Sequence, residues 1–290
     1  MRRTTFIALC TAASSVAAQG PPATDIFLAP LSIQNGKPVV GTPANFTNRT
    51  GYDNQPSFTP DSRSILFTST HEDAQSDIYR YDLASRSITR VTATPESEYS
   101  ATVMPGGRRF SVIRVERDSA QRLWSFAMDG TDPKVVMASL KPVGYHAWID
   151  ADNLAMFVLG QPNALVHGDV RTGKSDTLAR RIGRSLQPLP DKSGFSFVRT
   201  ADSASMLTAA RWPGFVTTDL IALPRGTQDI VWLSADVVLA ASATKLVYWQ
   251  RGATAWTDIG DYGAAGLTEI TRLAVSPDGK WIALVAVPKG

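Results

Sequence analysis

The chain has 290 residues, with 29 Lys plus Arg against 26 Asp plus Glu and a single cysteine, Cys10. Its formal charge of +3 falls to about +1 once a leader carrying Arg2 and Arg3 is removed, which leaves no field of one sign to draw in nucleic acid or an anionic membrane surface. The same cleavage takes away Cys10 and with it any disulfide, thiol nucleophile or thiolate metal site, and a domain of this length buries enough apolar surface to do without cross-links.

In chain order, residues 1–18 read as a secretory leader: Arg2 and Arg3 give a positive start, Phe6-Ile7-Ala8-Leu9 an apolar middle, and Val16-Ala17-Ala18 a small-residue cleavage site. The apolar run is too short to span a bilayer. Leu9 stands where lipid attachment to Cys10 wants a small residue. The expected location is periplasmic or secreted, and residues 19–290 are the mature chain.

Two strands are predicted next, Asp25-Ile26-Phe27-Leu28 and Val39 to Phe46, separated by the turn residues Asn35-Gly36. A repeating unit follows. Its clearest copy has strands near Ser57-Phe58, Ser64 to Thr68, Asp77 to Tyr81 and Ile88 to Val91, with turns at Thr59-Pro60-Asp61-Ser62 and Asp82-Leu83-Ala84-Ser85. Looser copies of the first turn occur at Met104-Pro105-Gly106-Gly107, Asp150-Ala151-Asp152-Asn153, Pro190-Asp191-Lys192-Ser193-Gly194 and Ser234-Ala235-Asp236, and a sharp one at Ser276-Pro277-Asp278-Gly279. Counted from Pro60 through Pro105, Asp150, Pro190 and Ala235 to Pro277, the intervals are 45, 45, 40, 45 and 42 residues. That period, with an apolar strand after each turn, predicts six four-stranded propeller blades. Pro, Asp and Gly serve the turn: Pro presets φ, Asp bonds its own backbone and Gly accepts positive φ. The last cassette, Leu273 to Val287, supplies two inner strands only, so the amino-terminal strands are expected to complete the sixth blade, close the ring and leave a monomer without open edges. Phe58, Trp148 and Trp232 recur just before turn markers and are assigned to core packing rather than to a ligand cage.

The stretches Pro56 to Arg63, Ser76-Asp77-Ile78-Tyr79-Arg80-Tyr81-Asp82 and Leu273 to Trp281 resemble the WD40-like repeats of the TolB propeller family, whose blades read as an aromatic strand, S-P-D-G, an apolar strand, then D-I-Y. The resemblance covers nearly all of the mature chain. It implies an all-β fold, a single six-bladed propeller, and says little about activity. The α/β domain that precedes the propeller in TolB has no counterpart between leader and first strand. A G-x-S-x-G elbow for a serine nucleophile is also missing.

Chemistry-bearing motifs are few. Gln75 stands where an H-E-x-x-H zinc helix beginning at His71-Glu72 needs its second histidine. There is no Gly-rich phosphate loop and no calcium loop, and no cofactor is expected. The remaining candidates follow from geometry, because the loops leading into each innermost strand gather on one face of a propeller around its channel. They hold Asp53, Glu96, Glu98, Tyr99, Tyr145, His146, Arg184, Gln187 and Asp229, and a second set of loops on that face adds His71-Glu72-Asp73 and Asp202-Ser203. Glu96 and Glu98 with His146 on the next blade suit acid/base work or a divalent cation; the competing reading makes them solvated loop carboxylates and a strand-end histidine. Tyr99 and Tyr145 either flank a ligand or fill the blade interface, and Arg184 either meets a substrate carboxylate or belongs to the basic surface of Arg180-Arg181. The leading functional expectation is an exported binding module for a protein segment or cell-envelope ligand at this mouth. The alternative is a secreted carbohydrate-active lyase or hydrolase using rim histidine and carboxylates.

Overall fold

The computed structural model describes residues 23–70, 75–201, 204–227 and 229–289. The expected leader with Cys10, and the loop residues His71, Glu72, Asp73, Asp202, Ser203 and Gln228, lie outside the described residues. The chain forms six antiparallel sheets, one per repeat, arranged as a six-bladed propeller. In the first blade the strands are Tyr52–Phe58, Ser64–Thr70, Asp77–Asp82 and Ile88–Arg90, in that order from axis to rim. The innermost strands of the next four blades are Ser97–Val103, Val143–Trp148, Ile182–Pro188 and Ile230–Ser234. Among the described residues no helix is long and apolar enough to cross a membrane.

The sixth blade is shared between the two ends of the chain, as expected. Leu267–Val275 lies innermost and Trp281–Pro288 beside it; Asp25–Gln34 then pairs antiparallel with Trp281–Pro288, from Asp25 opposite Ala286 to Pro30 opposite Trp281. The run Ile282 to Ala286 reads as continuously apolar because both of its faces are covered: Ile282 and Leu284 pack towards the fifth blade, Ala283 and Val285 towards the first. This is the two-residue period of a strand expressed with a core on each side. Six such apolar clusters fill the molecule, one between each neighbouring pair of blades.

The turn cassettes have a shared mechanism. Ser276 Oγ donates to Asp278 Oδ1 at 2.6 Å and accepts from the Trp281 amide at 2.9 Å, while Gly279 sits at φ +70°. Thr59 and Asp61 repeat this, with Thr59 Oγ1 donating to Asp61 Oδ1 at 2.6 Å and accepting from the Ser64 amide at 3.0 Å. These hydrogen bonds hold the Asp61 and Asp278 carboxyls below the usual carboxylate range. Ser62 Oγ also accepts from the Asp278 amide at 3.1 Å, tying the turn of the closing blade to that of the first.

Phe58, Trp148 and Trp232 are buried in blade interfaces. The two indoles use one device: Trp148 donates to Ser111 Oγ and Trp232 to Ser196 Oγ, each at 2.9 Å and each on the preceding blade. A buried ring with a polar edge thereby finds its partner.

Candidate functional site

Each blade brings one long or polar side chain towards the axis from its innermost strand or the residue just before it. They are Tyr52, Tyr99, Tyr145, Arg184, Asp229 and Arg272, five to eight residues before the turn marker of their own blade. Five of the six inner strands carry a register irregularity beside these positions, between Asn54 and Ser57, Tyr99 and Thr102, Val143 and Tyr145, Ile182 and Leu186, and Ile270 and Arg272. Bulges twist a strand and re-aim its side chains, and Gln55 and Ser100 take the required positive φ, +58° and +56°. Gln55 Oε1 accepts from the Ser100 amide at 2.7 Å, so the bulges of blades one and two lock together.

The axial side chains form one electrostatic group. Tyr52 feels Arg272, Tyr145, Tyr99 and Arg184, and burial pushes its hydroxyl up to about 12. Arg272 Nη2 donates to Tyr145 Oη at 2.9 Å, with the guanidinium 4.8 Å from the centre of that ring. Arg184 Nη2 donates to the Thr271 carbonyl at 2.8 Å. Burial, then the nearby Arg272 charge, holds the Arg184 pKa below its usual value. Asp229 accepts from the Leu273 amide at 3.3 Å and is the carboxylate that acts on both arginines.

From this ring a cavity of about 1040 Å³ runs along the axis. All six blades line it. Tyr145, Arg184, Asp229 and Arg272 stand at one end, and Pro60, Pro105, Gly106, Pro190 and Pro277 of the turns at the other. Gln187 and Leu186 contribute to the wall together with Ser57, Trp148, Trp232 and Val275. Among the described residues the cavity lining thus runs from this ring to the face of the turns, whereas the sequence reading set the mouth among the loops leading into the inner strands. The reason is the size of the axial side chains: three tyrosines and two arginines crowd the axis at that end, and the shorter residues beyond them leave it open.

The candidate residues divide accordingly. Tyr145, His146, Arg184, Gln187 and Asp229 line the cavity. Asp53 and Glu96 are engaged by cations away from it: Arg49 grips the buried Asp53 carboxylate through Nε at 3.0 Å and Nη2 at 2.9 Å, and Arg114 Nη2 holds Glu96 Oε2 at 2.5 Å. Glu98 is buried, with Oε1 accepting from Thr94 Oγ1 at 2.5 Å; Arg114 Nε lies 3.3 Å away in an ionic contact that lacks hydrogen-bond alignment, and Oε2 has no partner. Burial outweighs these helpers and raises Glu98 to about 7. Tyr99 packs against the apolar cluster between blades two and three.

His146 lines the cavity wall, yet its Nε2 is 2.6 Å from Ser111 Oγ and its Nδ1 is buried without a partner. Burial lowers its pKa to about 3, so the ring is neutral. Glu98 and His146 share no partner, and the expected constellation of two carboxylates with an imidazole is not assembled. Among the described residues no three His, Cys, Asp or Glu side chains are grouped to hold a metal ion.

Tyr52 and Arg272 were not among the sequence candidates. The signal for Arg272 was its place five residues before Pro277, equivalent to Tyr145 before Asp150. It was hidden because the inner strand of the closing blade, Leu267–Val275, is longer than those of the other blades, and so places the start of the strand too far upstream.

No protein-family model matches the chain. Among solved structures it is similar to a protein assigned as TolB from Agrobacterium tumefaciens, with a TM-score of 0.71 at 15% identity over 91% of this chain and 99% of that one. A chain of a nidogen/laminin complex matches with a TM-score of 0.66 at 12% identity, over 92% and 100% of the two chains. An oligogalacturonate lyase in complex with manganese matches with a TM-score of 0.53 at 11% identity, over 93% and 99%. At such identities the likeness is one of fold, and by its fold this chain is a TolB-like six-bladed β-propeller.

Proposed function

We propose that the protein is an exported, monomeric binding module that receives a protein segment or cell-envelope ligand in its central channel. The observation that carries this reading is the cavity of about 1040 Å³ to which all six blades contribute, since concave sites lined by apolar walls and a few convergent polar groups are where ligands bind. The leader read at residues 1–18 supports export, and likeness to TolB and to a chain of a nidogen/laminin complex fits a binding role by analogy of fold.

The similarity to oligogalacturonate lyase gives a second reading, a carbohydrate-active enzyme. It is the weaker one. A histidine with a pKa of about 3 is a poor proton acceptor at neutral pH, where a catalytic base is tuned close to the working pH. Glu96 is taken up in an ion pair, and the manganese of that neighbour finds no donor cluster among the described residues.

The two readings separate on incubation with polygalacturonate and a panel of envelope glycans, with and without manganese. The binding-module reading expects no new product by chromatography or ultraviolet absorbance. Product that disappears in His146→Ala would overturn it.

A further inference from the structure

The ring end of the cavity has a charge arrangement that packing does not require. Arg184 and Arg272 both line it, each within range of the other's charge, with Asp229 as the carboxylate acting on both. The neighbouring Tyr52 is neutral, with its hydroxyl at about 12. Two cations facing one anion leave a formal excess of positive charge in a half-buried place; burial and the Arg272 charge disfavour the Arg184 cation, while Tyr145, Asp229 and Tyr52 favour that of Arg272 against burial. Arg184 is tied down through Nη2 on the Thr271 carbonyl, and its Nε is buried with no hydrogen-bond partner among the described residues. A guanidinium presents its donors as a planar fork that matches a carboxylate, and an unused buried donor is costly until an acceptor arrives.

The shape of the cavity narrows the choice of anion. Among the described residues its lining stops at the ring, and Asp53, Glu96, Glu98 and Thr268 beyond the ring take no part in it. A chain inserted through the turn face therefore meets the arginines end-on. An amino terminus would be repelled there, whereas a carboxy terminus carries its carboxylate at its tip. From Arg272 to Pro277 the wall is five residues long, roughly 17 Å of strand, which accommodates about five extended residues. The half-buried Val103, Met104, Leu233 and Val275 along the wall offer apolar contact to the side chains that follow.

We infer that Arg184 and Arg272 bind the terminal carboxylate of a peptide inserted carboxy end first through the turn face, an assignment that rests on the protein-segment reading proposed above. Arg184 and Arg272 supply the two positive charges, and Asp229 is held beside them by the Leu273 amide.

The test uses the whole protein and a random pentapeptide pool tethered by its amino end, in a free-acid form and a carboxamide form. The expected result is at least tenfold stronger retention of the protein on the free acid, since a hydrogen bond to a charged group contributes about 1.5–3 kcal/mol. That preference should disappear in Arg184→Gln and Arg272→Gln. The acid-to-amide comparison on the unaltered protein needs no variant to fold. Equal retention on both forms overturns the carboxylate assignment and leaves protein-segment binding standing. Retention on neither form, with polygalacturonate bound instead, overturns the peptide assignment together with the protein-segment reading.

Discussion

Deleting residues 273–290 should yield a chain that neither melts cooperatively nor stays monomeric. The segment removes Ile282, Ala283, Leu284, Val285 and Ala286, all fully buried, and with them the partner of the Asp25–Pro30 edge. Burying a large aliphatic side chain contributes about 1.5–3 kcal/mol, so losing these residues and uncovering the facing surfaces of blades one and five costs on the order of 10 kcal/mol. That is comparable to the whole stability of an ordinary domain, about 5–15 kcal/mol. The exposed edge of Asp25–Gln34 would then be free to template pairing with other chains. Size-exclusion chromatography and thermal unfolding check both halves of the expectation, and a truncated monomer that melts like the full chain would contradict closure through the shared blade.

Glu98→Gln should stabilise the protein at pH 8 and make it more sensitive to acid. A carboxyl raised to about 7 by burial binds its proton more tightly in the folded than in the unfolded chain. Between the ordinary glutamate value near 4.5 and about 7, stability therefore falls as pH rises, and above that window the buried carboxylate carries a constant penalty on the order of 3 kcal/mol. His146 acts in the opposite sense. Its folded pKa of about 3 lies below the ordinary 6.5, so stability falls as pH drops below about 6.5, when the unfolded chain takes up the proton first. The two slopes offset one another between about pH 4.5 and 6.5 in the natural chain. Glutamine keeps the acceptor that Thr94 uses without titrating, and exposes the His146 slope. Melting temperatures of the variant and the parent across pH 5 to 8 check this: the variant should gain at the alkaline end and lose its lead on acidification. Parallel profiles would contradict a protonated Glu98.

The fold was legible because its signals are local and repeated. Thr59 with Asp61 and Ser276 with Asp278 build the same hydrogen-bonded turn, and that chemistry shows in four residues of sequence. Ile282 to Ala286 likewise announce a strand buried on both faces by apolar composition alone. The site was less legible because it depends on which way an inner strand points its side chains. The bulge after Asn54 and the one before Arg272 shift the alternation by amounts that no single cassette reveals, and so Asp53 was singled out where Tyr52 faces the axis. Glu96 and Glu98 looked free because Arg114, which holds both, comes from the next strand of their own blade. Arg184 and Asp229, named from the sequence as candidates, do line the cavity, although their end of it was not apparent until the sizes of all six axial residues stood together.

The central claim is that ligand enters the channel from the turn face. A photo-reactive phenylalanine analogue placed at Gln187, on the cavity wall, and separately at the exposed Glu269 on the opposite side of the ring tests it directly. On irradiation with envelope extract or a bound peptide, Gln187 should give a specific adduct that excess unlabelled ligand suppresses, and Glu269 should give none. An adduct from Glu269 with none from Gln187 would place the ligand among the loops before the inner strands and contradict the account.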